Sequence, residues 1–396
     1  MKFNTLNDFD HLQGQLVLVR VDFNVPIKHG KIQDNSRIHA HIPTISELVE
    51  KGAKVVLVSH LGRPKNQEAE FSLLPVANEL EKIIEQPVSF CSSLDRDVIN
   101  QAELALKPGG ILMLQNIRFF EGETENDTFL ASMLSEDIAL YVNDAFASSH
   151  RSHSSVDAIC KFVGKKAVGR LMEKELRNLT AVELFKKEKK KIAVVASGAK
   201  VSTKLGLLKN LVESADDIFI AGAMANTFIA AKGNEVGTSL FESEMFDSVK
   251  QIEEKAAANN CKLHLPVDTI CAYEMKEDSE IISTSIESVP ASMMILDAGP
   301  KTVEAWLEAL KSHDLILLNG PLGVFEVSPF DRGSKEFFTG LKELSGYKVA
   351  GGGDTIFAIK KVDANDSFDF VSTGGGALLE ALEGRTLPGI NAVLED

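Results

Sequence analysis

The sequence runs to 396 residues, more than one comfortable core holds, so two domains of ordinary size are expected. Hydrophobic residues make up 44% and charged residues 25%, the balance of a folded globular protein, which excludes a disordered chain. A net charge of −15 argues against nucleic acid as a partner, and no apolar run approaches the length of a membrane span.

The first ten residues are polar, carry Asp8 and Asp10, and lack the basic-then-apolar pattern of a signal peptide. Cys91, Cys160, Cys261 and Cys271 show no C-x-x-C spacing, so neither a zinc site nor a disulfide framework is expected. A reducing, cytoplasmic compartment fits that cysteine usage. Short apolar runs then alternate with stretches of helical period. Strands are expected at 16–21, 54–59, 111–114 and 139–142 in the first half. In the second they are expected at 191–196, 217–221, 262–265, 315–318, 348–350 and 368–372. Most are near-continuous Val, Ile and Leu, as in strands buried on both faces of a parallel sheet. The alternation predicts an α/β protein of two doubly wound, Rossmann-like parallel-sheet domains. Met172, Leu176, Leu179 and Val182 fall at helical spacing and predict a connecting helix, ahead of a charge run at 185–191 that reads as a solvated helix end. The expected domains are therefore 1–170 and 171–384, joined by that helix and a hinge.

In open parallel sheets, ligands bind outside the carboxyl ends of the strands. After the first-half strands come Arg20-Val-Asp22-Phe23-Asn24, Ser59-His60-Leu61-Gly62-Arg63, Asn116-Ile-Arg118, and Asn143-Asp144 with His150-Arg151. Arg37 adds another cation. One such arginine alone reads as a surface ion-pair residue; four or five after successive strands read as an anion site, since guanidinium binds phosphate and carboxylate bidentately. His39 and His41 read as helix decoration.

The second-half strands end in glycine-rich segments: Ser197-Gly-Ala-Lys200-Val-Ser-Thr-Lys204, Asn319-Gly-Pro-Leu-Gly-Val-Phe-Glu326, Gly351-Gly352-Gly353-Asp354-Thr355 and Gly374-Gly375-Gly376. Glycine lets backbone N–H groups approach phosphate oxygens, and a helix beginning just afterwards adds its positive end. Asp354 is placed to hold Mg²⁺ beside such phosphates. Lys200 and Lys204, four apart, are expected on one face of an early helical turn. Walker A, G-x-G-x-x-G and H-R-D patterns are absent, which excludes P-loop and protein kinases and leaves a dinucleotide-dependent dehydrogenase without its fingerprint.

Taken together in order, these motifs resemble the phosphoglycerate kinase family, bacterial type, over essentially the whole chain. The resemblance implies a first domain for 3-phosphoglycerate or 1,3-bisphosphoglycerate and a second for ADP or ATP with Mg²⁺. It assigns the glycerate substrate to Asp22, Asn24, Arg37, His60, Arg63, Arg118 and Arg151, with Phe23, Leu61 and Gly62 in the same motifs. It assigns Lys204 and residues Gly351 to Thr355 to nucleotide phosphates, Asp354 to the metal, and Glu326 to the ribose. Arg37, Lys200, Gly353, Gly375 and Gly376 are expected around the phosphoryl in flight. The resemblance further implies a monomer, and a C-terminal tail from about 385 to 396 that packs on the first domain.

Three departures stand out: Ala147-Ser-Ser149 where Gly-Thr-Ala is usual, and Ser197 and Ala223 in place of glycines. Their added methyl and hydroxyl groups bear on nucleotide affinity. The implied acceptor is a carboxylate, ionised at neutral pH, so no general base is required. Catalysis then rests on positioning and charge cancellation, with closure of the domains bringing donor and acceptor together. Another acyl-phosphate kinase of small substrate would be over-charged by five arginines. A silent scaffold would not need Arg37, Lys200 and Asp354 together.

Overall fold

The computed structural model describes residues 1–93, 95–382 and 385–394. Two compact units are present: Met1–Asn178 with Thr386–Asp396, and Leu179–Arg385.

The first unit contains β1 (Leu16–Arg20), a hairpin of β2 (Ile27–Lys28) and β3 (Lys31–Ile32), β4 (Lys54–Val58), β5 (Val88–Cys91), β6 (Ile111–Leu114), β7 (Leu140–Asn143) and β8 (Lys166–Val168). Its helices are α1 (Ser36–Glu50), α2 (Leu74–Ile84), α3 (Arg96–Ala105), α4 (Thr128–Ser135) and the start of α5 (Arg170–Lys187). Six strands form one parallel sheet in the order β5-β6-β4-β1-β7-β8. Val17, Val19, Val55 and Leu57 of the central strands are fully buried against Ile38, Ile45 and Leu48 of α1 and Val76 and Leu80 of α2. β4, β6 and β5 lie on one side of β1 and β7 and β8 on the other, so the chain crosses over beside β1 and the carboxyl ends open there.

The second unit carries β9 (Ile192–Ser197), β10 (Asp217–Ala221), β11 (Lys262–His264), β12 (Asp268–Ala272), β13 (Ile281–Ser285), β14 (Met294–Ala298), β15 (Leu315–Asn319), β16 (Tyr347–Gly351) and β17 (Phe370–Ser372). Helices α6 (Val201–Leu211), α7 (Ala223–Ala231), α8 (Phe246–Ala258), α9 (Pro300–Leu310), α10 (Arg332–Leu341), α11 (Gly353–Lys361) and α12 (Gly376–Leu382) accompany them. The parallel sheet runs β11-β10-β9-β15-β16-β17, which by rank is the 3-2-1-4-5-6 order of dinucleotide-binding folds. Trp306 meets Phe219 and Phe337 edge-on in its core, at 5.4 and 6.3 Å.

Both predicted parallel sheets are present, with more strands than the apolar runs reveal. The edge strands β5 and β8 are short and polar-interrupted. The antiparallel sheet β13-β12-β14 was not expected at all. Its β13, Ile-Ile-Ser-Thr-Ser, keeps one face in solvent and so lacks the continuous apolar signature.

Between the sheets in sequence, α5 buries Met172, Leu176, Leu179 and Val182, and the division into units falls inside it, after Asn178. The last helix, α13 (Pro388–Asn391), belongs to the first unit: Gly389 N–H donates to Ser149 O at 2.9 Å and Lys166 Nζ to Ala392 O at 2.9 Å. Of the predicted tail and boundary, residues 383–384 and 395–396 lie outside the described residues.

Candidate functional site

In the first unit the carboxyl ends of β1, β4, β6 and β7 gather the predicted cations. Arg20 closes β1, is 1% exposed, and donates from Nε to Ser155 Oγ at 2.9 Å. Its Nη2 lies 3.2 Å from His60 Nδ1. Asp22 receives Arg37 Nη1 on Oδ2 at 2.8 Å. Arg37 reaches it from the first turn of α1 and is itself 42% exposed, so one face of its guanidinium stays open. Asn24 Oδ1 accepts Gly62 N–H at 2.9 Å, while buried Phe23 is pinned by its N–H to Ser59 Oγ at 2.8 Å. Gly62 sits at φ +61, and a Cβ there would fall 2.3 Å from Phe71. Leu61 is buried and held on both its N–H and C=O by the Asn116 amide.

Arg63, Arg118 and Arg151 line one open cleft of about 840 Å³ together with Lys65 and His153. Arg118 donates from Nη1 to Gly62 O, and its Nε is buried with no partner among the described residues. Burial, then the charges of Arg151, Arg20 and Arg63, push its pKa down to about 10 against the pull of Glu123. Burial also drives the His60 imidazole well below its ordinary value. Arg20, Arg118 and Arg151 add to that, while Asp22 opposes it. His60 is therefore neutral and accepts from Arg20, and its 3.9 Å approach to Asp22 is no ion pair. Like charges this close are destabilised alone and stabilised by an anion among them.

In the second unit a cavity of about 410 Å³ opens at the switch between β9 and β15. Lys204, in the first turn of α6, donates from Nζ to Ser197 O and Asn319 Oδ1. Burial lowers its pKa to about 8, with Asp354 acting the other way. Asn319 Nδ2 donates to Gly351 O at 2.8 Å, and Thr355 Oγ1 accepts Gly320 N–H at 2.7 Å, so the ends of β15 and β16 are laced together. Gly353 and Gly376 begin α11 and α12, and a Cβ on either would meet nothing. A Cβ added to Gly375 would stand 3.9 Å from Gly352 Cα and from Gly353 N, so the two glycine triplets lie side by side. Gly374 N–H is given to Ser372 Oγ at 3.1 Å, and backbone N–H groups where such glycine turns lead into helices are of the kind that can receive phosphate oxygens. Asp354 and Glu326 both line the cavity, and both are exposed.

Lys200 differs from expectation. It is the extended N-cap residue of α6, exposed, and does not share a helical face with Lys204. Beside it, Glu242 accepts Ser202 N–H at 3.0 Å and Ser202 Oγ at 2.5 Å. Burial works to raise the Glu242 pKa; these bonds, aided by Lys200, overcome it and hold the carboxyl below its ordinary value.

Of the three departures, Ser197 and Ala223 line the cavity, the former with its hydroxyl donated to Pro321 O. Ala147-Ser-Ser149 belongs to the first unit, where Ser149 O accepts Gly389 N–H at 2.9 Å, and it does not line the second unit's cavity.

Several supporting residues escaped the sequence reading. Asp297 is buried in the cavity wall, accepts Gly333 and Ala298 N–H groups at 2.7 and 2.9 Å, and is pushed well above its ordinary pKa by burial. His41 is 1% exposed and joined to Asp22 and Asp144, not a decoration of α1. Its position four residues after Arg37, hence on the same helix face, was the available signal.

The family pattern described as phosphoglycerate kinase matches residues 6–385. The chain is 44% identical to the phosphoglycerate kinase of Zymomonas mobilis over 99% of this chain and 100% of that one. It is 45% identical to that of Bartonella henselae over the full length of both. Among solved structures, phosphoglycerate kinase from Coxiella burnetii superposes with a TM-score of 0.88 at 37% identity, covering 99% of this chain and 98% of that one. The Pyrococcus horikoshii enzyme gives 0.85 at 32%, covering 98% of each.

Proposed function

The chain belongs to the phosphoglycerate kinase family, an ATP-dependent transferase of glycolysis, and from that premise we propose which of its residues carry the reaction. The reaction moves a phosphoryl group reversibly from 1,3-bisphosphoglycerate to ADP, giving 3-phosphoglycerate and ATP. Asp22, Asn24, His60, Arg63, Arg118 and Arg151 hold the glycerate, with Arg37 nearest the transferring group. Lys204 and the loop from Gly351 to Thr355 hold the nucleotide phosphates, and Glu326 holds the ribose. Lys200, Gly353, Gly375 and Gly376 act on the phosphoryl in transit.

One observation carries this reading. Arg118 is a half-buried guanidinium whose Nε has no partner among the described residues, crowded by Arg20, Arg63 and Arg151, and such a cluster is stabilised by a multiply charged anion. The carboxylate of 3-phosphoglycerate is already ionised, so it attacks without a base, and neutral His60 serves as a hydrogen-bonding group. The residues' work is orientation and cancellation of developing charge.

Mg²⁺ fits the second cavity. Asp354 stands exposed there, in a cavity also lined by Glu326 and the buried Asp297, and no group of three metal-binding side chains occurs among the described residues. Magnesium held chiefly by nucleotide phosphates asks for no more than one or two carboxylates. When bound, it supplies neutralisation of phosphate charge. The working form is proposed to be a cytosolic monomer, to be checked by light scattering.

The test is turnover of 3-phosphoglycerate with ATP and magnesium, followed by NADH loss in a coupled assay. Turnover that 3-phosphoglycerate saturates and acetate does not compete is expected. Activity on acetate, or none on either, would overturn the reading.

A further inference from the structure

His41 is unusual among the buried groups because both ring nitrogens are committed. Its Nε2 receives the backbone N–H of Asp22 at 3.0 Å, and its Nδ1 lies 2.8 Å from Asp144 Oδ2. A nitrogen that accepts from an amide carries no proton, so the proton sits on Nδ1 and is donated to Asp144. The ring is 1% exposed and Asp144 0%, so water does not compete for either bond. Phe23 packs edge-on against the imidazole, with ring centroids 5.5 Å apart, and removes its remaining freedom.

The other oxygen of Asp144 is committed too. Oδ1 accepts Leu171 N–H at 3.0 Å and Met172 N–H at 3.2 Å, capping the first turn of α5. Gly169 makes room for it, since a Cβ there would fall 2.2 Å from Oδ1. The carboxylate is thus held in place independently of the histidine, and it dictates the imidazole tautomer. Asp22, at the far end, holds Arg37 on Oδ2 and its own loop on Oδ1, which accepts Asn24 N–H at 3.3 Å.

We propose that His41 is a positioning residue for the glycerate substrate: Asp144 fixes its Nδ1–H tautomer, and the free Nε2 holds the Asp22 backbone so that Asp22, Asn24 and Arg37 are presented in binding geometry. This rests on the assignment of those three residues to the glycerate. Neither His41 nor Asp144 touches the cleft itself.

The tautomer requirement supplies the test. In Asp144→Asn, the amide oxygen can still cap α5, but its NH₂ faces His41 and drives the imidazole proton to Nε2, against the Asp22 N–H. In His41→Asn the short amide replaces Nδ1 alone and leaves the Asp22 N–H unmet. In His41→Gln the amide oxygen falls where Nε2 was, which restores the acceptor. Calorimetric binding of 3-phosphoglycerate to the full chain is expected to weaken about tenfold in the first two variants and to stay within about threefold in His41→Gln. KM for 3-phosphoglycerate should rise in parallel, with KM for ATP unmoved. Thermal melting reports any general loss of fold, which would affect all three variants and both substrates. Binding within about twofold of wild type in Asp144→Asn or His41→Asn would overturn the proposal. So would equal loss in folded His41→Gln. Arg63→Ala is the separate control: if it leaves 3-phosphoglycerate binding intact, the site assignment fails, whatever the histidine variants do.

Discussion

At the scale of single residues, the two sites use charge in opposite ways. The first crowds guanidinium groups until they disfavour one another; the second hides one ammonium from water. Arg37 is tied to Asp22 on one side and 42% exposed on the other. A cation acting on the transition state costs rate when removed, so Arg37→Ala should lower kcat on the order of 10³-fold with ADP affinity nearly unchanged. Steady-state kinetics would check it, and a kcat within tenfold of wild type would reduce Arg37 to a binding residue. Lys204 gives a pH signature. Its pKa in the free protein is about 8 because burial disfavours the ammonium, and phosphate brought beside it favours the ammonium again. Nucleotide binding near pH 8 should therefore take up protons, and affinity should fall as pH rises through that value. Calorimetry in buffers of unlike ionisation enthalpy measures the uptake, which Lys204→Met should abolish.

At the scale of elements, both sites are strand ends followed by short turns, and their precision comes from backbone positions a side chain would destroy. Gly352 shows this most plainly. It has φ +112, and a Cβ would sit 2.7 Å from Asn319 Nδ2 and 3.0 Å from Thr355 Oγ1, the two side chains that lace β15 to β16. Gly352→Ala should destabilise the protein by about 1–3 kcal/mol and weaken nucleotide binding, because the start of α11 must shift. Urea unfolding with and without ADP checks both; an unchanged midpoint together with unchanged ADP affinity would contradict the account. The helix α5 belongs to this scale as well. The Asp144 carboxylate caps its first turn, and Arg170 there is bound to Glu47 and Glu173 at 2.6 and 2.8 Å. Its beginning is thereby fastened to the first unit.

At the scale of the whole molecule, a chain of net charge −15 handles two anionic substrates by collecting cations at the sheet edges. Transfer between ligands held on separate units requires those units to be brought together, and repulsion between the anions opposes it. In the proposed reading, the metal assigned to Asp354 offsets that repulsion. Solution scattering should show greater compaction with 3-phosphoglycerate and ATP–magnesium together than with either alone. Asp354→Ala should still bind 3-phosphoglycerate, fail to compact fully, and turn over little. Normal turnover with unchanged magnesium dependence in that variant would displace the metal from Asp354.

The sequence by itself determined the two parallel sheets, the connecting helix and the cationic and glycine-rich strand ends. Buried parallel strands are continuous apolar runs, and functional groups follow them at fixed offsets, so both signals are local. In the antiparallel sheet β12 to β14, the edge strand β13 escaped because it is half-exposed and mixes polar and apolar residues. Asp297 escaped because nothing in its neighbours marks a carboxyl as buried. His41 shows why tertiary structure had the last word. From sequence it was a polar residue on a helix; its partners, Asp22 and Asp144, lie 19 and 103 residues away. Burial, tautomer and role were decided only when the ends of β1 and β7 met α1, because a hydrogen bond depends on which groups are within about 3 Å and not on their order along the chain.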